Sequence, residues 1–121
     1  MSRSLRLLLV EDHQDSADLL AELLKSHGYT VSVASCAEQA LELADREVFD
    51  VLLSDIGLPD ASGYDLMKKI HEQHASMKGI AITGRGGAEA LARGRQAGFS
   101  AQLIKPVSVR RLEEVIENLG V

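Results

Sequence analysis

Five positions carry side chains that could do chemistry, and each follows a short apolar run. Glu11 and Asp12 follow Leu5–Val10, Asp55 follows Val51–Ser54, Thr83 follows Gly79–Ile82, and Lys105 follows Leu103 and Ile104. An aspartate carboxylate can attack phosphorus and form an acyl phosphate. Acids gathered for that purpose repel one another: two unit charges about 4 Å apart interact by about 4 kcal/mol at an effective dielectric of about 20. Lys105 would offset part of this, and a hard divalent cation would offset more. Mg²⁺ suits oxygen donors and is commonly held by one or two carboxylates together with waters and phosphate oxygens. The metal and Lys105 would neutralise charge on the equatorial oxygens of a phosphoryl group in transit, with the Thr83 hydroxyl donating to one of them.

The elements must bring these residues together. Leu5–Val10 reads as a buried strand, and residues 14–27 as a helix whose Leu19, Leu20, Leu23 and Leu24 form an inward stripe, stopped at Gly28. Tyr29–Ala34 alternates and is β-branched, which predicts a second strand. Ser35 to Glu38 has the form of a capping box, opening a helix to about Arg46 with Ala37, Ala40, Leu41 and Ala44 on one face. Val51–Ser54 is a third strand with Asp55 at its end. A loop containing Pro59 follows, and Ser62 with Asp65 opens a helix that turns Leu66, Met67 and Ile70 inward. Gly79–Thr83 is a fourth strand. The Gly84–Gly87 loop leads to a helix over about Ala88–Ala97, whose only large apolar residue is Leu91 and which Gly94 interrupts. Leu103 and Ile104 centre a short fifth strand, Pro106 ends it, and Val109, Leu112, Ile116 and Leu119 mark a last helix.

Strands alternating with helices imply a parallel sheet covered on both faces, joined by right-handed crossovers. The expected architecture is an α/β, doubly wound (βα)5 domain spanning residues 1–121. Its five-stranded sheet would have the flavodoxin-like order 2-1-3-4-5. Ligands of such sheets sit beyond the carboxyl ends of the strands, at the switch point between strands one and three. All five residues fall on that edge. Taken singly, an aspartate after a strand is most often a cap or turn residue. That explanation would need several coincidences along one edge of one sheet.

Composition narrows the alternatives. The 121 residues carry 13 Lys and Arg against 18 Asp and Glu, a net charge of −5, which disfavours direct nucleic-acid binding. Only 3% are aromatic and there is no Trp, so a base-stacking platform is not expected. One Cys, Cys36, excludes an internal disulfide framework and a multi-Cys zinc site. No apolar run has a membrane span's length, and no signal-peptide pattern opens the chain, so a soluble cytoplasmic domain without membrane contact is expected. The glycines at 84 and 86 do not make a dinucleotide fingerprint, since the third glycine position is Glu89, and no phosphate-binding G-x-x-x-x-G-K motif exists. His13, His27, His71 and His74 are not spaced as a metal set. His71 and His74 show no acidic partner in sequence, and all four read as solvated.

Assembled in order, these pieces resemble the receiver domain of two-component response regulators over essentially the full chain. The matching fragments are Leu8-Leu9-Val10-Glu11-Asp12, Asp55-Ile56 with Leu58-Pro59, Gly63 eight residues past Asp55, Thr83-Gly84 and Lys105-Pro106. The resemblance implies that Asp55 accepts a phosphoryl group from a phosphohistidine of a histidine kinase or histidine phosphotransfer domain, or from a small phosphodonor. It implies that Asp12, Asp55 and the Gly57 carbonyl ligate Mg²⁺, with Glu11 acting through water. Lys105 would bridge to the phosphoryl group, Thr83 would reorient to bind it, and the Lys105–Pro106 peptide would be cis. Output, or a homodimer contact, would use the face built from the fourth helix, fifth strand and fifth helix.

Two positions depart from the family pattern. Receivers usually carry Tyr or Phe three residues before the lysine, where this chain has Gln102, and Gly84 replaces the commoner Ala beside Thr83. The stretches around Thr83-Gly84-Arg85 and from Ala97 to Val107 are similar to receivers fused to hybrid sensor histidine kinases. Two rival readings use the same residues. An inert pseudo-receiver would bind a partner without phosphorylation. A small aspartyl-phosphate phosphohydrolase would want a second acid two residues past Asp55, where Gly57 stands.

Overall fold

Parallel pairing joins every apolar run of the chain into one sheet. The computed structural model describes residues 4–121. Its elements run β1 (Arg6–Val10), α1 (Gln14–Ser26), β2 (Thr30–Ala34), α2 (Ala37–Arg46), β3 (Val51–Asp55), α3 (Gly63–Gln73), β4 (Lys78–Thr83), α4 (Ala88–Ala97), β5 (Ala101–Ile104) and α5 (Val109–Glu117). The strand order is β2-β1-β3-β4-β5, and every neighbouring pair is parallel. This is the doubly wound α/β fold expected from the alternation of elements.

Both faces of the sheet are covered, which is why its strands read as continuous apolar runs. Successive side chains of a strand point to opposite faces. Leu8, Val10, Leu52 and Ala81 therefore pack with Ala40, Leu66, Met67 and Ile70 of α2 and α3. Leu7, Leu9, Leu53, Ile80 and Ile82 pack on the other side with Leu24, Leu112 and Ile116 of α1 and α5.

Two local expectations are corrected. The leucines of α1 are not all core: Leu19 is 61% exposed and Leu23 is 40% exposed, whereas Ala17, Ala21 and Leu24 are buried. Residues 17, 21 and 24 share one narrow face at i, i+4, i+7 spacing, and Leu20 flanks it, so the other two leucines rotate towards solvent. The start of α2 is not a capping box either. Cys36 is its N-cap residue and makes no side-chain capping bond, while Gln39 Oε1 accepts from both the N–H and the hydroxyl of Ser35. The cap at Ser62 forms as expected, its hydroxyl accepting from the Asp65 N–H at 3.1 Å.

The α4 helix forms despite its weak apolar pattern. It ends at Gly98, whose φ of 114° supplies the left-handed cap that a side chain would strain. Its buried residues are only Gly94 and Ala97, and the Arg93 guanidinium lies 4.5 Å from the centre of the Tyr64 ring on α3. The histidines are not all free in solvent. His13 Nδ1 accepts from the Ser16 N–H, His27 pairs with Glu113 at 2.8 Å, and His74 pairs with Asp45 at 3.0 Å. These partners lie on other elements or one turn away, and for His27 and His74 only the packed fold supplies them. Among the described residues, no helix is long and apolar enough to cross a membrane.

Candidate functional site

The sheet register aligns the carboxyl ends of its central strands. Val10 pairs with Ser54, Asp55 with Ile82, and Thr83 with Ile104. The residues just past those ends therefore meet at one edge. Glu11, Asp12 and Asp55 each bring a carboxylate oxygen into a group whose members all lie within 4.8 Å of one another. Lys105 reaches in from the end of β5, with Nζ donating to Asp55 Oδ2 at 2.9 Å and lying 3.6 Å from Glu11 Oε1. The Lys105–Pro106 peptide is cis.

Asp55 is held from several directions. Its Oδ1 accepts from the Ile56 N–H at 2.9 Å, and its backbone carbonyl accepts from the fully buried Ser54 hydroxyl at 2.8 Å. The loop after it folds back tightly: Gly57 bridges Ser62, and the Gly63 N–H donates to the Ile56 carbonyl at 2.7 Å. A Cβ on Gly63 would collide with the Asp55 carbonyl oxygen and the Ile56 Cα, so only glycine permits that approach.

The charges of the cluster are interdependent. Burial raises the Glu11 carboxyl to about 7, helped by a hydrogen bond it shares with Asp55 and by repulsion from that carboxylate. Burial alone would also raise Asp55. Its hydrogen bonds from Glu11, Lys105 and the Ile56 N–H outweigh that effect and hold it below the ordinary aspartate value. Lys105 loses some basicity to burial but gains more from its bond to Asp55, so it is held above the ordinary lysine range. Glu11 is thus pushed towards its neutral form and Asp55 held towards its ionised one.

The donor set fits a hard divalent ion. Glu11 Oε2 is buried and has no hydrogen-bond partner among the described residues, a buried oxygen that a cation would satisfy. All the side-chain donors are oxygens, the chemistry Mg²⁺ prefers.

The structure brings Glu11, Asp12, Asp55 and Lys105 together and holds two expected partners differently. Thr83 stands beside the notch, but its hydroxyl donates to the Arg85 carbonyl at 3.0 Å and accepts from the Arg85 N–H at 3.1 Å. Gly57 is exposed on the β3–α3 loop. Gln102 points under α4, near Gly94, and its Oε1 is buried without a hydrogen-bond partner among the described residues.

Sequence reasoning missed Asp60, whose carboxylate accepts from the N–H groups of Ala37 and Glu38 at 2.9 Å each. The only sequence signal was a Pro-Asp turn, which does not reveal a long-range partner. Beside the notch, an apolar groove of about 540 Å³ runs between α1 and the β5–α5 loop, walled by Leu19, Leu20, Leu23, Pro106 and Val107.

A doubly wound parallel sheet with an acidic notch and one lysine at its carboxyl edge defines the class of this domain. Residues 7–117 match the response regulator receiver domain, and the chain belongs to that family. It is 36% identical over 107 residues to a response regulator receiver protein of Anaeromyxobacter sp., spanning 88% of this chain and 45% of that protein. It is 30% identical over 110 residues to the sensor histidine kinase RcsC of Salmonella typhi, spanning 91% of this chain and 12% of the kinase. The chain therefore spans less than half the length of both relatives. The likeness to receivers within sensor kinases is borne out by RcsC. The structure also resembles the CheY-like response regulator receiver domain protein of Methanospirillum hungatei, with a TM-score of 0.89 at 35% identity, covering 95% of this chain and 92% of that one.

Proposed function

We propose that this receiver domain accepts a phosphoryl group on Asp55 from a phosphohistidine, with Mg²⁺, and passes the change to a partner. The observation that carries this reading is the ion pair from Lys105 to Asp55 inside a three-carboxylate cluster. A structural salt bridge would not need two further acids at the same spot.

One oxygen of the Asp55 carboxylate attacks phosphorus. The bond from phosphorus to the donor imidazole nitrogen breaks and its electron pair returns to that nitrogen, leaving neutral imidazole when the other ring nitrogen carries a proton and otherwise requiring a proton from solvent. Glu11, Asp12, Asp55 and the Gly57 carbonyl would hold the Mg²⁺, which supplies positive charge to the phosphoryl oxygens. Lys105 supplies a second positive charge. The Ile56 N–H keeps the Asp55 carboxylate aimed out of the sheet edge. Thr83 releases its bonds to Arg85 and turns its hydroxyl to a phosphoryl oxygen. The added charge of nearly −2 then biases the loops after β3 and β4, and output leaves through the α4-β5-α5 face.

The apolar groove beside Lys105 supports the same reading, since it offers a docking face next to the acceptor for a helix carrying the donor histidine. The domain acts as a phosphoacceptor and catalyses only its own phosphorylation and dephosphorylation. Incubation with acetyl phosphate and Mg²⁺ should add one phosphoryl group to the intact mass, and Asp55→Asn should abolish the gain. An unmodified wild-type protein, with acetyl phosphate and with phosphorylated histidine donors alike, would leave the inert pseudo-receiver as the reading.

A further inference from the structure

We infer that Asp60 is a positioning residue: by bonding the N-terminus of α2 it holds the β3–α3 loop, and with it the Gly57 carbonyl, in place for the metal. The inference rests on the reading of Gly57 as a metal ligand.

A helix leaves its first N–H groups without intrahelical partners, and a side chain at the N-cap position ordinarily satisfies one or two of them. The N-cap residue of α2, Cys36, makes no such bond. Asp60 does it from another loop. Oδ1 accepts from the Ala37 N–H and Oδ2 from the Glu38 N–H, at 2.9 Å each and across 23 and 22 residues of sequence. The carboxylate is exposed, yet these two donors, Glu38 first and then Ala37, hold it below the ordinary aspartate range. It is thus committed to the helix end.

The loop that carries Asp60 is fixed at its base by the Gly57–Ser62 bridge and by the Gly63 N–H bonded to Ile56. Its tip is fixed by Asp60. Gly57 stands at the base, three residues before Asp60; it has no side chain, and a Cβ placed there would meet nothing within 4 Å. The bridge to Ser62 holds Gly57 from one side, no side chain of its own adds to that, and the bonds of Asp60 hold the stretch of loop that follows it. Leu58 and Ala61 press against the core on the α2 and α3 side, but apolar contact is not directional. The paired bonds of Asp60 are directional, and a metal ligand must point.

The same bonds also cap α2, so a variant must separate a cap from a tether. Asp60→Ala removes both. Adding Cys36→Asp to that variant gives α2 a cap of its own while leaving the loop untied. Mg²⁺ affinity is read by titration while amide shifts are followed, and thermal stability is measured on the same samples. Asp60→Ala should weaken Mg²⁺ about 10-fold, the lower end of what losing a supporting partner costs a metal site. It should also broaden or shift the Gly57 amide. Asp60→Asn, which keeps one acceptor oxygen and sets its amide nitrogen against the other N–H, should fall between wild type and Asp60→Ala. Cys36→Asp in the Asp60→Ala background should restore the melting temperature and not the affinity.

Recovery of both by Cys36→Asp would reduce Asp60 to a helix cap and overturn the inference, as would wild-type affinity in Asp60→Ala. If the wild-type protein itself neither binds Mg²⁺ nor takes up phosphoryl, the functional reading above fails first. If it does both and only the Asp60 variants behave like wild type, the failure belongs to this inference alone.

Discussion

Lys105 Nζ and Asp55 Oδ2 lie 2.9 Å apart although 50 residues separate them in sequence. The contact joins the end of β5 to the end of β3 across the intervening β4. Replacing Lys105 by Met keeps the aliphatic stem and removes the charge. Phosphorylation by acetyl phosphate should slow by about 10²-fold or more, the usual effect of losing one charge-stabilising donor. Stopped-flow measurement of the rate at saturating Mg²⁺ checks this, and an unchanged rate would remove Lys105 from the chemistry.

The raised Glu11 carboxyl gives a second expectation. Its carboxyl is raised from 4.5 to about 7 in the folded protein, chiefly by burial. Between those values the folded state binds more protons than the unfolded chain, so this contribution to stability falls as pH rises. It is fully present below about 4.5 and lost on passing about 7. Metal-free protein should therefore lose stability across that window, and Glu11→Gln should flatten the dependence. Urea denaturation at a series of pH values, with chelator present, reads the slope. An equal slope in wild type and variant would contradict the raised Glu11 value.

Gly63 offers a steric test of the loop. An added methyl group would meet the Asp55 carbonyl oxygen and the Ile56 backbone, neither of which yields easily. Gly63→Ala should cost about 1–3 kcal/mol of stability, as overpacking does, and should slow phosphorylation because Asp55 must shift. Gly57→Ala, which meets nothing within 4 Å, is the matched control for stability and should leave it nearly unchanged.

The exposed leucines of α1 bear on the partner. Leu19 and Leu23 are 61% and 40% exposed and wall the groove beside Lys105. Changing both to Glu should alter stability by no more than about 0.5 kcal/mol per site, the usual range for surface positions. Acetyl phosphate should still label Asp55, while transfer from a phosphohistidine protein should slow. Equal slowing with both donors would place the defect in the site and not in the docking face.

The carboxyl edge of the sheet was legible in the sequence because strand ends can be read from short apolar runs, and the topology then assigns their neighbours. Glu11, Asp12, Asp55 and Lys105 followed directly. What escaped were relations that only packing decides. A stripe of four leucines predicts an apolar face, but not which two of them the sheet will cover. The Ser35-to-Glu38 pattern satisfied a local rule, yet Asp60 from a distant loop took the helix end, and no spacing rule reaches that far. The pairing of His74 with Asp45 was hidden for the same reason. Thr83 stood where expected, but its bonds to Arg85 depend on the path of a glycine-rich loop that carries no periodic signal.

The modest packing of α4 has a mechanical consequence. Only a glycine and an alanine of that helix are buried, and positive-φ glycines stand at both of its ends. Lifting it would uncover little oil-like surface, while Leu66, Met67 and Ile70 of α3 stay packed on the sheet. The part of the molecule whose displacement would expose least thus adjoins the loop that begins at Thr83, at the same edge of the sheet as Asp55 and Lys105.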